Sequence, residues 1–391
     1  MIPLMKNAFL NEHETKKALS EFIMQADKLS MGQKCEEFEA VFSKKQGRED
    51  GILFNSGGSA NLALLQALKN LGRIKDSDNV GFSALTWSTN TMPIIQMGFN
   101  PIPLDCEVDS LNVSSKQLLD RLKEVELKAL FLTNVLGFVD DIQEVKRICE
   151  ERQIILLEDN CESLGTETPF GKAGNFGLAS TFSFFVAHHM STIEGGMICT
   201  NDSELAEMLR ITRANGWDRN LKAQQQIKWR KKFDIKSEFQ AKYTFYDLGY
   251  NLRPTEITGF LGIYQLQFLD FNIQKRQSNY FRIEEILLRN NDFINLRHDH
   301  IQVLSTFALP IVCKTPELRE EYLAQFSGAG IEIRPMIAGN MQNQPFYHKY
   351  VKNYYNLPNT DFLHTNSFYC GNYPELSDMD LETISSCLYN F

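Results

Sequence analysis

Between about residues 50 and 200, short apolar runs alternate with stretches of helical character. The runs are Gly51–Phe54, Asn79–Phe82, Ile102–Leu104, Ala129–Asn134, Ile154–Leu157, Ser180–Phe184 and Gly196–Thr200. Most are too short for helices and show little polar alternation, as expected of strands covered on both faces of a sheet. Strands separated by helices in this way predict an α/β fold with a largely parallel sheet.

The pattern changes at Asn251-Leu252-Arg253-Pro254. Pro254 can open a helix, and Ile257, Phe260, Leu261, Tyr264 and Phe268 recur at helical spacing. This predicts one long helix leading out of the sheet. From about residue 275 the chain mixes helices with a few strands, such as Ser305–Ile311 and Ile331–Arg334, in the manner of a smaller α+β unit. No internal repeat or low-complexity linker intervenes. The expected division is a large α/β domain over 1–262, its N-terminal segment packing on the other unit, and a small α+β domain over 263–391.

With 391 residues, 43% of them hydrophobic and 28 of them Phe, the chain can bury an extensive core. The net charge of -9 is spread along the chain and offers no field for nucleic acid or an anionic membrane, so any bound phosphate must be held locally. The most basic run, Lys228–Lys236, reads first as a solvated face. Eight cysteines without a C-x-x-C pair suit reduced thiols in the cytoplasm. The N-terminus has no sustained apolar run, and no later stretch approaches the roughly 20 apolar residues of a membrane span.

Three stretches carry candidate chemistry. Asn55-Ser56-Gly57-Gly58-Ser59-Ala60-Asn61 follows a strand and precedes a helical run from Leu62 to Leu71. Its glycines let backbone N–H groups approach an anion, and the helix dipole adds to the attraction; the same run also suits an ordinary capped turn. The strand Ile154–Leu157 leads to Glu158-Asp159-Asn160. A carboxylate at a parallel strand's carboxyl end can meet a ligand and hold a pyridine nitrogen protonated, or simply cap a helix. The third, Thr181 to Gly196, runs from an apolar strand into His188-His189 and a Gly-Gly turn. No Asp, Glu or Cys ligand set accompanies the pair, which argues against a metal; core packing is the plainer alternative.

In order and spacing these stretches resemble the DegT-type nucleotide-sugar aminotransferases, with S-G-T/S-A-N/L, E-D and S-F-x-x-x-K-x-x-T-x-x-E-G-G. The likeness extends to Gly249-Tyr250-Asn251-Leu252-Arg253-Pro254 and Arg334-Pro335. It implies the type I pyridoxal-phosphate (PLP) enzyme fold, related to aspartate aminotransferase, with a mostly parallel seven-stranded sheet. The family's lysine position falls on His188, and no lysine occurs between Lys172 and Lys222. Imidazole cannot form the imine that lysine makes with PLP, though it can move protons.

Histidine at this place resembles the family's 3-dehydratases of 3,6-dideoxysugar biosynthesis for surface polysaccharide. The runs Leu157-Glu158-Asp159-Asn160-Cys161-Glu162-Ser163 and Gly216-Trp217-Asp218-Arg219-Asn220 are similar as well. The resemblance implies removal of the C3 hydroxyl from a nucleotide-linked 4-keto-6-deoxy sugar, of the GDP-4-keto-6-deoxymannose type. L-glutamate would supply the amino group, and PLP or pyridoxamine phosphate would bind non-covalently. His188 would move the proton; Gly57, Gly58 and Ser183 would bind phosphate; Trp87 would stack on the ring; Asp159 would hold its nitrogen; and Glu162 would lie at its polar edge. Asn251 would reach the phosphate of a partner subunit in a homodimer, and Arg219 and Arg334 would contact substrate. Asn215 departs from the family, where histidine often precedes Gly-Trp. A CDP-linked branch carries an iron–sulfur cluster, but this chain has no cysteine between Cys199 and Cys313 to hold one. The remaining alternatives are an aminotransferase with a relocated lysine and a non-catalytic sugar-nucleotide-binding regulator.

Overall fold

In the computed structural model, which describes residues 1–389, each apolar run of the first two hundred residues is a strand. They are β1 (Asp50–Phe54), β2 (Asn79–Ser83), β3 (Asn100–Leu104), β4 (Ala129–Thr133), β5 (Ile155–Asp159), β6 (Ala179–Ser183) and β7 (Gly196–Thr200). They form one sheet in the order β1-β7-β6-β5-β4-β2-β3, parallel except for β7, which runs against both neighbours. β4, β6 and β7 are buried along their whole length, which explains why their sequences do not alternate.

Both outer edges of the sheet are unusual. β3 carries Pro101 and Pro103, which have no N–H to offer and are tolerated because the strand is at an edge. At the other edge, the Leu53 N–H donates to Glu39 Oε1 at 2.8 Å, and Arg213 Nη1 donates to the Leu53 carbonyl at 2.6 Å.

Helices α1 (Glu12–Gln25) and α2 (Gln33–Gln46) precede the sheet; α3 (Gly57–Asn70) and α4 (Ser88–Gln96) follow β1 and β2. The long helix expected after Pro254 is two helices, α5 (Glu256–Leu266) and α6 (Leu269–Leu287). Its start is later than Pro254 because the Thr255 hydroxyl caps the first turn. It breaks where Gln267 Nε2 donates to the Tyr264 carbonyl at 2.7 Å, competing with the backbone for that acceptor. The expected boundary at 262 thus lies inside α5. The Glu256 carboxylate caps α2 in turn, accepting from the N–H groups of Gly32, Lys34 and Cys35.

A second sheet, β8 (Ala308–Val312), β9 (Ile333–Pro335) and β10 (Ser367–Gly371), is antiparallel in the order β8-β10-β9. The strand expected at Ser305–Ile311 starts three residues later, because Ser305 and Phe307 bond to the first sheet's loops instead: Ser305 Oγ to the Leu164 carbonyl at 2.6 Å, and the Phe307 N–H to the Leu136 carbonyl at 3.1 Å. Likewise Ile331 bridges to Ile2 and is outside β9. That bridge, with Leu4 N–H on Glu332 Oε2 at 2.9 Å, lays the N-terminal segment on the second sheet. The last two residues of the expected small domain lie outside the described residues.

Candidate active site

The carboxyl ends of β1, β5 and β6 open onto one cavity of about 410 Å³, roofed by residues of the second sheet. Gly57, Gly58, Trp87, Asp159, Glu162, Ser183 and His188 all line it. Seven residues chosen from distant stretches of sequence therefore meet in one place.

At one end of the cavity the start of α3 presents its free N–H groups. Ser56 caps the helix, its Oγ accepting from the Ser59 N–H at 3.0 Å. The two glycines begin the helix, which therefore starts five residues before the expected Leu62. Gly57 has no room for a side chain, since a Cβ would stand 2.7 Å from Ser183 Cβ, and one on Gly196 would stand 2.3 Å from the Ser56 carbonyl oxygen. Three backbones thus converge on a cradle with the Ser183 hydroxyl at its edge.

Asp159 is the last residue of β5, buried, and caps no helix. Its Oδ2 accepts from Asn61 Nδ2 at 2.9 Å and Asn90 Nδ2 at 2.7 Å, and its Oδ1 accepts from the Cys161 N–H at 2.8 Å. Glu162 accepts from the Leu136 N–H at 3.0 Å. Burial pushes its carboxyl up to about 8, an effect that Asp159 strengthens and that N–H opposes. Trp87 is 54% exposed, which leaves an indole face free toward the cavity.

His188 is half-buried, with its Nδ1 sealed from solvent and without a partner. Burial brings its imidazole down to about 4; contact with the Cys161 backbone works against this, and the Arg276 guanidinium adds to it. The ring is therefore neutral at neutral pH. His189 points elsewhere: it is fully buried, and its Nε2 meets the Ser305 carbonyl at 3.0 Å. The Phe307 ring lies against His188 with centroids 5.1 Å apart, and Tyr369 of β10 lies beyond it.

Three expected residues are not in the cavity. Asn251 is exposed, and its Oδ1 accepts from Arg253 Nε at 3.0 Å. Arg219 is exposed with its guanidinium 4.1 Å from the Trp217 ring, a cation–π contact. Arg334 is also exposed; it pairs with Glu332 and stands opposite Tyr369 in the β9–β10 register. Asn215 has a φ of 58°, a left-handed conformation that asparagine tolerates well. The basic run after Lys228 is largely helical, and Lys228 and Arg230 pair with Glu207, Asp218 and Glu238.

Sequence reasoning missed Asn61, Asn90, Phe307 and Tyr369. Asn61 sits inside the Asn55–Asn61 stretch, where an amide one turn from a phosphate loop was open to reading as a carboxylate partner, whereas Asn90 lies on α4, three residues after Trp87, and nothing local marks it. Tyr369 comes from the second sheet and Phe307 from the segment just before β8, and nothing local announces them.

The fold is the type I, aspartate-aminotransferase-like one, and its cavity lies at the carboxyl ends of the parallel strands, where open α/β sheets bind ligands. Residues 11–389 match the DegT/DnrJ/EryC1/StrS aminotransferase family, and the chain belongs to it. It is 31% identical over 361 residues to the GDP-4-keto-6-deoxy-D-mannose 3-dehydratase of Escherichia coli O55:H7, with 90% of each chain covered. It is 34% identical over 322 residues to the protein of that name from Yersinia pseudotuberculosis, with 81% of this chain and 80% of the other covered. A crystal structure of GDP-4-keto-6-deoxymannose-3-dehydratase with a trapped PLP-glutamate geminal diamine matches with a TM-score of 0.90 and 30% identity, over the whole of both chains.

Proposed function

We propose that the chain is a PLP- and pyridoxamine-phosphate-dependent lyase that removes the C3 hydroxyl of a nucleotide-linked 4-keto-6-deoxy sugar of the GDP-4-keto-6-deoxymannose type. L-glutamate is the amino donor. The observation that carries this reading is a neutral imidazole, His188, in a cavity that no lysine lines among the described residues.

The cavity fits a phosphorylated pyridine. Gly57, Gly58 and Ser183 would hold the phosphate in a cradle that a Cβ would fill; the twice-anchored Asp159 would keep the ring nitrogen protonated; and the Trp87 indole would cover the ring. When bound, the coenzyme supplies an electron sink and, in its amine form, a nitrogen nucleophile for the sugar ketone. His188 would accept on its ring the proton released at the bound coenzyme's carbon and deliver it to the C3 oxygen, so that the hydroxyl leaves as water. Glu162, uncharged near pH 7, offers a hydrogen-bond donor at the coenzyme's polar edge. The nitrogen taken from glutamate leaves as ammonia.

Asn251 is assigned to the coenzyme phosphate of a second copy in a homodimer, and Arg219 and Arg334 to the substrate; all three are exposed, and each has only a surface partner to exchange. The division into units at 1–262 and 263–391 belongs to the same reading, as does a cytoplasmic location. No helix among the described residues is long and apolar enough to cross a membrane.

The test is incubation with PLP, glutamate and a panel of nucleotide-linked 4-keto-6-deoxy sugars. Loss of one oxygen from the sugar together with ammonia release is expected. An intact amino sugar as the main product would replace this reading with transamination.

A further inference from the structure

His188 has no covalent tether to a coenzyme, so its aim must come from the backbone that carries it and the ring that lies against it. Both lead to one side chain. Arg276 on α6 is wholly buried, and among the described residues no carboxylate pairs with it. It donates instead to three neutral oxygens: Nε to Asn272 Oδ1 at 2.6 Å, Nη1 to the Phe307 carbonyl at 2.7 Å and Nη2 to the His188 carbonyl at 3.3 Å. One turn earlier on the same helix face, Asn272 Nδ2 donates to the His189 carbonyl. The histidine turn and the Phe307 ring are thus fixed from behind by a single guanidinium.

We infer that Arg276 is the positioning residue of His188, setting the imidazole's direction through the His188 and Phe307 carbonyls. This rests on the reading of His188 as the base. A buried charge without a counter-ion is costly, and a carboxylate beside it would cancel its field at the ring; carbonyl partners satisfy its donors and leave that field in place. The other groups facing His188 are Asp159, Cys161 and Glu162 beyond β5, Glu194 on its own turn, His189 behind it and Tyr369 from β10. Glu375 is the acid nearest Arg276 in effect, and burial still outweighs it, bringing the guanidinium down to about 10.

The experiment follows the histidine ring carbon signals of the full-length, coenzyme-free protein by NMR against pH, with His188 assigned from His188→Asn. Wild-type His188 should titrate well below 6.5. Arg276→Met should raise that midpoint, whereas Arg276→Lys should keep it low. With substrate, Arg276→Met should lower kcat more than it raises KM and move the acid limb of the pH profile upward. A folded Arg276→Met with wild-type titration and profile overturns the inference. If that variant does not fold, Asn272→Ala should give a smaller shift in the same direction, and no shift there, or an ordinary wild-type midpoint, overturns it too. Because the titration needs no coenzyme, absence of dehydration by the wild type would sink the proposed function and leave the Arg276 result standing.

Discussion

The two ends of the cavity are bonded in opposite ways. Asp159 is held by two amides and a backbone N–H, three donors converging on one carboxylate. His188 has an unpartnered ring nitrogen and is confined by an aromatic face and by bonds to its own main chain. On the proposed reading, the group that keeps its charge is surrounded by donors and the one that exchanges a proton is left free to do so. Glu162, between them, is made neutral by burial.

This contrast can be broken most severely at the imidazole. His188→Lys should cut dehydration by about 10²- to 10⁴-fold, the usual worth of general acid–base catalysis. Borohydride should then leave a stable pyridoxyl adduct on the protein, detectable by mass, which the wild type should not give. Unchanged dehydration would remove His188 from the chemistry.

Asp159→Ala should weaken PLP binding by about tenfold to hundredfold, the loss of a charge-assisted hydrogen bond. Asn90→Leu leaves Asp159 with one amide and should weaken binding by about five- to tenfold, near 1 kcal/mol. Both are read by absorbance titration of the coenzyme. Were Asn90 merely structural, the thermal midpoint would move and the affinity would not.

The smallest effects are on stability against pH, and they have opposite signs. His188 has a lowered native value, so its contribution is present above 6.5 and is lost as pH falls toward 4. Glu162 has a raised one, so its contribution is present below 4.5 and is lost as pH rises toward 8. Urea denaturation of the coenzyme-free protein should therefore show Glu162→Gln gaining on the wild type from pH 5 to pH 8. His188→Asn should instead gain between pH 6.5 and pH 4. A pH-independent difference in either variant would mean that the group does not titrate as its surroundings demand.

The strands were legible because burial on both faces leaves an uninterrupted apolar run, as in Ala129–Thr133 and Gly196–Thr200. The end of the cavity lined by Gly57, Asp159 and Ser183 was legible for a related reason: these residues stand at or just after strand ends, where local chemistry and position coincide. The base end was only half visible. His188 stood out by replacing a lysine, but Phe307 and Arg276 act through carbonyl contacts between segments far apart in the chain, which no local pattern records. The misplaced start of β8 has the same origin, since Ser305 and Phe307 look like strand residues and are taken up by the loops around the site. The single long helix failed for a smaller reason, a glutamine that caps its neighbour's carbonyl.

The two proline residues on the outermost strand and the Glu39–Arg213 pair across the opposite one leave neither flank able to zip onto another β-ribbon. Self-association through a continuation of this large sheet is disfavoured. Copies that come together on this side of the molecule would meet through helices and loops, the parts that carry the exposed Asn251 and Arg219.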